Sequence, residues 1–446
     1  MANNAEGGDF VEDWWTTIEA ARLAGPRWVE IDSDAIFHNV GAVKERIAPG
    51  VKLMAVVKAD AYGCGAVETA RVAAAAGADF FGVTTLEEGL ELRNGGIDRP
   101  ILVFAPLVGG ASLAASNRLA VTLAGMDRIE ELENGAKAIG KTLDVHIKVE
   151  TGLGRTGLFP GDVVRAAEAL RDAPHLNLEG IFTHFATAGR DGRFVEHQFQ
   201  VFLRVLDALQ AAGIRIPLRH VCNSAATFEH PAMHLDMVRV GTLLYGQYPG
   251  GKKRNWGLDL RDPFRVRVRL LHVWNAPAGS AIGYGRDYVC PRDTRVGVIP
   301  VGIADGFGVQ PVSRPKSLPD LIKTIGKAVL AYLGWEPASP LSVKCQGSSL
   351  PVIGRVGMQL TMVDLNNRPE AQPGDVVEIK LRRLTTSARL PRVYTREGKP
   401  YQVRGLQGEV PWHRLLILRR LTNAHGISAT RRFQVKNKKG FRQSNS

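Results

Sequence analysis

The sequence predicts an α/β barrel of the (β/α)8, TIM-like type, followed by a mainly antiparallel β domain. Three observations carry that prediction. A chain of 446 residues exceeds what one hydrophobic core usually supports, so two domains are expected. After residue 50, continuous apolar runs of strand length alternate eight times with helical patterns, the signature of a parallel sheet covered by helices. Beyond Trp256 the pattern switches to strict apolar–polar alternation, as in FRVRVRLLHV (Phe264–Val273), with turns rich in Gly and Pro.

Taken in order, residues 9–24 space Phe10, Trp14, Trp15, Ile18 and Leu23 as a short amphipathic helix. Trp28–Ile31 reads as a half-buried strand, and Asp32-Ser33-Asp34 supplies N-caps for a helix through Arg46. Barrel strands are expected at Leu53–Val57, Phe80–Val83, Ile101–Phe104, Ala120–Leu123, Val145–Val149, Leu178–Phe185, His220–Cys222 and Met237–Val240. Helices fall at Val67–Ala76, Leu86–Arg93, Val163–Arg171 and His197–Ala211, with a weaker pattern between the third and fourth strands. The expected division is an extension and joining strand over 1–33, the barrel over 34–255, and the β domain over 256–425. That domain carries strands at Arg295–Pro300, Val352–Val356 and Val376–Leu381. It also holds an irregular insertion at 311–349, with one helical piece at Leu318–Leu333. A basic tail, 426–446, is expected to be disordered.

The net charge of +13 is local. Residues 380–446 hold 17 of the 57 lysines and arginines and only two of the 44 acids, so the remainder is close to neutral. A solvated tail is favoured over one docked on nucleic acid or an anionic surface, because no aromatic interleaving accompanies the charge. The four cysteines are scattered, without the pairing of a zinc site or disulfide framework, and no metal centre is expected. No signal peptide or membrane span is apparent, which points to the cytoplasm.

Lys58 ends the first barrel strand, and a lysine at a barrel mouth can be desolvated into an amine nucleophile. Alone, a lysine there is more commonly a strand-end residue that extends its head to water. Other polar residues arrive at the same kind of position: Thr151 to Arg155, Thr183-His184, Asn223-Ser224 and Arg239 to Gly241. In a barrel these strand ends share one face, so their convergence points to a site. Glycines, hydroxyls and an arginine suit a phosphorylated, anionic cofactor.

Seven motifs, VVKADAYG, HIKVETGLGRTG, GIFTHFATA, NSAA, MVRVGTLLYG, IGYGRDY and ADG, follow one another at sensible spacing. In these the chain resembles the alanine racemase family of fold type III pyridoxal-phosphate enzymes, from about Trp28 to Asp364. The resemblance implies pyridoxal 5'-phosphate as cofactor, a free amino acid as substrate, and a homodimer with shared active sites. It implies that Lys58 binds the cofactor covalently and serves as one base, and that Tyr284 of the partner subunit is the opposing base. Two opposed groups are what racemisation requires, since a proton leaves one face and returns on the other. His184 and Arg239 would tune Tyr284, and Arg239 would face the pyridine nitrogen. Tyr62, Ser224, Gly241 and Thr242 would hold the phosphate. Arg155 would reach the cofactor's phenolic oxygen and the substrate carboxylate, and Met358 of the partner would contact that carboxylate through its backbone. Lys148, at a position carbamylated in some relatives, and His220 would support the two arginines.

The chain departs from the family pattern at Cys64 and Glu150. It departs further at Ile303, where the family carries tyrosine, and at Gly357-Met358-Gln359, where the family carries Cys-Met-Asp. The family's C-terminal Asn-Tyr-Glu segment has no match. These changes make the substrate entrance less polar and less anionic, so a broad-specificity or different amino-acid racemase is the leading alternative to L-alanine/D-alanine interconversion for peptidoglycan. A fold type III decarboxylase and a non-catalytic cofactor carrier are further alternatives, and retention of Tyr284 argues against both.

Overall fold

The computed structural model describes residues 24–251, 254–309, 318–332, 341–345, 347–405 and 408–411. The expected helix over 9–24 lies almost wholly outside these residues, and the basic tail lies entirely outside them.

Eight parallel strands form the barrel: β2 (Lys52–Val56), β3 (Phe80–Val83), β4 (Ile101–Val103), β5 (Leu119–Leu123), β6 (Leu143–Lys148), β7 (Leu176–Phe182), β8 (Leu218–His220) and β9 (Met237–Val240). Their order is sequential, and β9 pairs with β2. The remaining seam, between β8 and β9, is bridged by Arg239 N to Cys222 O (3.0 Å) and Asp236 N to Arg219 O (3.0 Å). Inward side chains Met54, Phe80, Leu102, Ala120, Phe182, Leu218 and Met237 pack as one cluster, so the barrel is filled rather than hollow.

The outer layer includes α1 (Ser33–Lys44), α2 (Ala66–Ala75), α3 (Leu86–Asn94), α4 (Ala111–Ser116), α5 (Ile129–Lys137), α6 (Val163–Asp172), α7 (Gly192–Ala211) and α8 (Ser224–Glu229). Asp32 caps α1 by accepting from Ala35 N, and Thr85 with Glu88 forms a capping box on α3. The weak pattern between the third and fourth strands is the six-residue α4.

The strand expected over Leu178–Phe185 ends at Phe182, because Thr183 and His184 turn toward the barrel mouth and take partners outside the ladder. In the second domain, the alternating run from Phe264 is two strands, β10 (Phe264–Arg269) and β11 (His272–Ala276). A short ladder, β12 (Ala281–Ile282) with β13 (Tyr288–Val289), carries Tyr284 in its connection. The main sheet adds β14 (Thr294–Ile299), β15 (Ser342–Cys345), β16 (Ser348–Ile353), β17 (Thr361–Asp364), β18 (Val376–Ile379), β19 (Arg392–Arg396), β20 (Lys399–Gly405) and β21 (Gly408–Pro411). The segment read as an irregular insertion thus ends in sheet, since β15 pairs with both β16 and β18. Helix α9 (Leu318–Tyr332) exposes Leu318, Ile322, Ile325 and Val329.

The N-terminal strand β1 (Arg27–Asp32) lies inside the eleven-stranded sheet, antiparallel to β10 and parallel to β19. Its Trp28, Val29 and Ile31 are fully buried. Burying three such side chains contributes roughly 1.5–3 kcal/mol each, which fixes the sheet onto the start of the barrel.

Candidate active site

A cavity of about 430 Å³ opens at the C-terminal ends of the barrel strands. Its lining includes Lys58, Tyr62, Lys148, Arg155, His184, Ser224, Arg239, Gly241 and Thr242. Nine of the residues singled out from sequence are therefore brought together.

Lys58 leaves β2 into an unusual turn. Ala59, Asp60, Ala61 and Tyr62 all adopt positive φ, between 52° and 56°. Each left-handed non-glycine residue costs roughly 1–2 kcal/mol, so four in succession need outside support. Ala59 N donates to Glu88 Oε1 (2.6 Å), and Asp60 Oδ1 accepts from Ala66 N (2.9 Å). The turn brings the Tyr62 hydroxyl over Gly241, where a Cβ would lie 2.5 Å from its oxygen, so only glycine permits the approach. Gly241 N donates to Ser224 Oγ at 3.0 Å, completing a cluster of hydroxyl and backbone groups.

The electrostatics are one-sided. Burial, followed by Arg155, lowers the pKa of Lys58 despite the opposing effect of Glu88, and Arg239 lowers it further. Burial and then Arg155 bring Lys148 down to about 8; its amine donates to Thr156 Oγ1. His184 is lowered to about 3 by burial and by Arg239, Arg155, Lys58 and Lys148, so its imidazole is neutral at physiological pH. Four basic side chains thus act on one ring, in a cavity suited to an anionic ligand.

Arg239 is buried, and burial lowers its pKa to about 10, which leaves it cationic at neutrality. Its Nη1 donates to His220 O (2.7 Å) and His220 Nδ1 (3.0 Å). Its Nη2 donates to Thr183 O (2.7 Å) and Val221 O (3.1 Å), with His184 Nδ1 at 3.4 Å. Among the described residues no carboxylate forms an ion pair with it.

A guanidinium only donates, so His220 Nδ1 accepts and its proton resides on Nε2. That proton faces His146 Nδ1 (2.9 Å), which leaves His146 Nε2 to donate to Glu179 Oε2 (2.9 Å). Burial, then Arg239 and His146, hold the His220 pKa well below the ordinary histidine value, consistent with a neutral ring. A register shift between β6 and β7 leaves Glu179 without a ladder partner beside His146. Gly180 is needed there, because a Cβ would stand 2.3 Å from His146 Nδ1. Replacing Glu179 by leucine is expected to destabilise the fold by about 1–3 kcal/mol, since a buried imidazole N–H loses its acceptor. Glu179→Gln, which keeps an acceptor oxygen, is expected to cost less; urea unfolding midpoints measure the difference.

Sequence reasoning missed His146, Glu179, Glu88 and Gln198. Gln198 on α7 ties the two loops at the mouth, donating to Thr151 Oγ1 (3.1 Å) and His184 O (3.3 Å) while accepting from Ala186 N (2.9 Å). A buried glutamine within a helical apolar stripe was the available signal.

Three named residues do not line the cavity. His220 stands behind Arg239. Tyr284 and Met358 lie on the second domain, 78% and 75% exposed. They share an exposed surface with Ile303, whose N–H donates to Gly357 O at 3.0 Å, while Ala304 N donates to Met358 O at 3.0 Å. The Arg355–Asp287 ion pair, with the Arg355 guanidinium against Gly285, braces the Tyr284 turn on that surface.

Residues 31–249 match the alanine racemase N-terminal domain, and residues 264–390 match the alanine racemase C-terminal domain. An alanine racemase of Desulfosudis oleivorans is 37% identical over 79% of this chain and 86% of its own length. Among solved structures, the alanine racemase of Clostridium difficile superposes with a TM-score of 0.75 at 28% identity, covering 85% of this chain and 98% of that one. The Bacillus anthracis alanine racemase with bound L-Ala-P gives a TM-score of 0.73 at 28% identity, covering 86% and 98% of the two chains. With both domain models matched in order and a relative above one-third identity across most of its length, the chain belongs to the alanine racemase family.

Proposed function

We propose that this protein is a pyridoxal-phosphate-dependent racemase that interconverts L- and D-alanine by two-base proton transfer. The observation that carries the reading is the cavity itself. Lys58, Lys148, Arg155 and Arg239 converge on it, and Arg239 has imidazoles and carbonyls as partners in place of a carboxylate. That donor set fits the cofactor. The amine of Lys58 has a lowered pKa, as covalent capture of an aldehyde requires, and hydroxyl and backbone donors cluster around Gly241. Bound there, pyridoxal phosphate would act as an electron sink that acidifies the substrate's Cα–H.

The chain's own groups do the rest. Tyr62, Ser224, Gly241 and Thr242 hold the phosphate, and Arg155, backed by Lys148, binds carboxylate. Arg239 would face the ring nitrogen, toward which a guanidinium can only donate. Lys58 moves the α-proton on one face. Tyr284 of a second copy moves it on the other, with the neutral His184 and cationic Arg239 orienting its hydroxyl. The exposure of Tyr284 and Met358 supports a homodimer in which each copy completes the other's site. A cytoplasmic location and supply of D-alanine for peptidoglycan accord with this activity.

Chiral assay of alanine, serine, lysine and arginine tests the proposal: alanine is expected to racemise with the highest kcat/KM and to gain solvent deuterium at Cα. A second reading, broader specificity, is favoured by Ile303, which is 56% exposed beside Gly357 and Met358. Comparable kcat/KM for the larger amino acids supports it. Carbon dioxide release instead of inversion identifies a decarboxylase. Cofactor binding without deuterium exchange identifies a carrier.

A further inference from the structure

The left-handed turn after Lys58 is held from a distant part of the chain. Arg404 lies on β20, beyond residue 390, where the family match ends. Its Nη1 donates to Asp60 Oδ1 at 2.6 Å, and its Nη2 donates to Asp60 Oδ2, a bidentate ion pair between two largely buried side chains. The same Asp60 oxygen Oδ1 accepts from Ala66 N, so the carboxylate joins the turn, the start of α2 and β20.

Independent contacts bring the β19–β20 ribbon to the same place. Arg392 Nε donates to Gly63 O (3.2 Å), the Tyr394 hydroxyl occupies the space a Cβ at Gly65 would need, and Tyr401 donates to Glu68 Oε1 (2.5 Å). Asp60 sits midway between Lys58 and Tyr62, both of which line the cavity. Whatever fixes its φ near 54° also fixes the spacing of the amine and the hydroxyl.

We propose that Arg404 is a positioning residue that clamps the Lys58–Tyr62 turn through Asp60, so that the ribbon beyond the family-matched region preorganises the cofactor site. Its catalytic consequence rests on the reading of Lys58 and Tyr62 given above; the clamp itself does not. A charged bidentate pair in a partly buried setting is strong, and a strained turn is where its loss is felt most.

The test compares Arg404→Gln, Arg404→Lys, Asp60→Asn and the Asp60→Asn/Arg404→Gln double variant. Amide hydrogen exchange over residues 59–66 is measured in cofactor-free protein, and pyridoxal-phosphate affinity is measured by titration. R404Q is expected to speed exchange in this segment and weaken cofactor binding, each by about tenfold or more. Arg404→Lys recovers part of both losses. The double variant is expected to be no worse than the more impaired single variant, since both remove one interaction. Should R404Q not fold, Asp60→Asn decides alone, because it keeps Arg404 and removes the charge that receives it. Faster exchange confined to the ribbon, with residues 59–66 and cofactor affinity unchanged, overturns the proposal, as do additive effects in the double variant. If the wild-type chain binds no pyridoxal phosphate, the function proposed above fails, while the exchange measurements still decide the clamp.

Discussion

Replacing Lys58 by alanine is expected to lower alanine racemisation by about 10⁴-fold or more, because one change removes both the covalent hold on the cofactor and one of two proton-transfer groups. Borohydride reduction followed by peptide mapping is the direct readout. Wild-type protein should retain the cofactor's mass on the peptide containing Lys58, and Lys58→Ala should retain none anywhere. Far-ultraviolet dichroism should be unchanged, since Lys58 makes no hydrogen bond within the barrel ladder and its removal leaves the β2–β3 and β2–β9 pairings intact. A folded variant that racemises alanine at the wild-type rate, or that carries the cofactor on Lys148, would overturn the assignment. Lys148 is the informative competitor, since its pKa is lowered to about 8 and it faces the same cavity.

The second large effect concerns Tyr284. Tyr284→Phe is expected to reduce racemisation by about 10²–10⁴-fold, the range typical of losing a general acid–base group. Cα–H exchange from the enantiomer served by Lys58 should survive better than inversion. The exposed position of Tyr284 on the second domain makes the stronger test one of mixing. Lys58→Ala and Tyr284→Phe subunits, each inactive alone, are combined under conditions that exchange protomers. If the tyrosine comes from the partner, each mixed dimer has one site with both native groups, and activity returns to about a quarter of wild type under statistical mixing. If the tyrosine serves its own chain's lysine, mixing restores nothing.

The barrel was legible because its strands are buried on both faces and therefore apolar throughout, so composition alone marks them off from amphipathic helices. All eight expected runs overlap observed strands. The second domain was only partly legible. Its short strands depend on pairing partners far away in sequence: β15 and β17 carry four residues each, and β19 to β21 fall in a stretch whose basic charge dominated the reading. In the site, residues at strand ends were found because the barrel topology converts order along the chain into proximity around a mouth. His146, Glu179 and Gln198 escaped for a different reason. His146 and Gln198 are buried and Glu179 partly so, all embedded in strand and helix patterns, and only three-dimensional pairing distinguishes a relay of hydrogen bonds from an ordinary polar position. Asp60 was in view within the lysine motif, but nothing in the sequence linked it to an arginine 344 positions later.

The interior position of β1 sets the order in which this protein can be completed during synthesis. The strand emerges from the ribosome well before either neighbour, since its antiparallel partner begins at Phe264 and its parallel partner at Arg392. At translation rates of about 5–20 residues per second, Trp28, Val29 and Ile31 wait on the order of ten seconds or longer with both strand edges open. The barrel strands β2–β9 can close in that interval, while β1 remains an adhesive edge. Protecting that edge until the last ribbon arrives is therefore a task for the nascent chain or for a chaperone, and expression of the barrel without the second domain leaves the edge permanently uncovered.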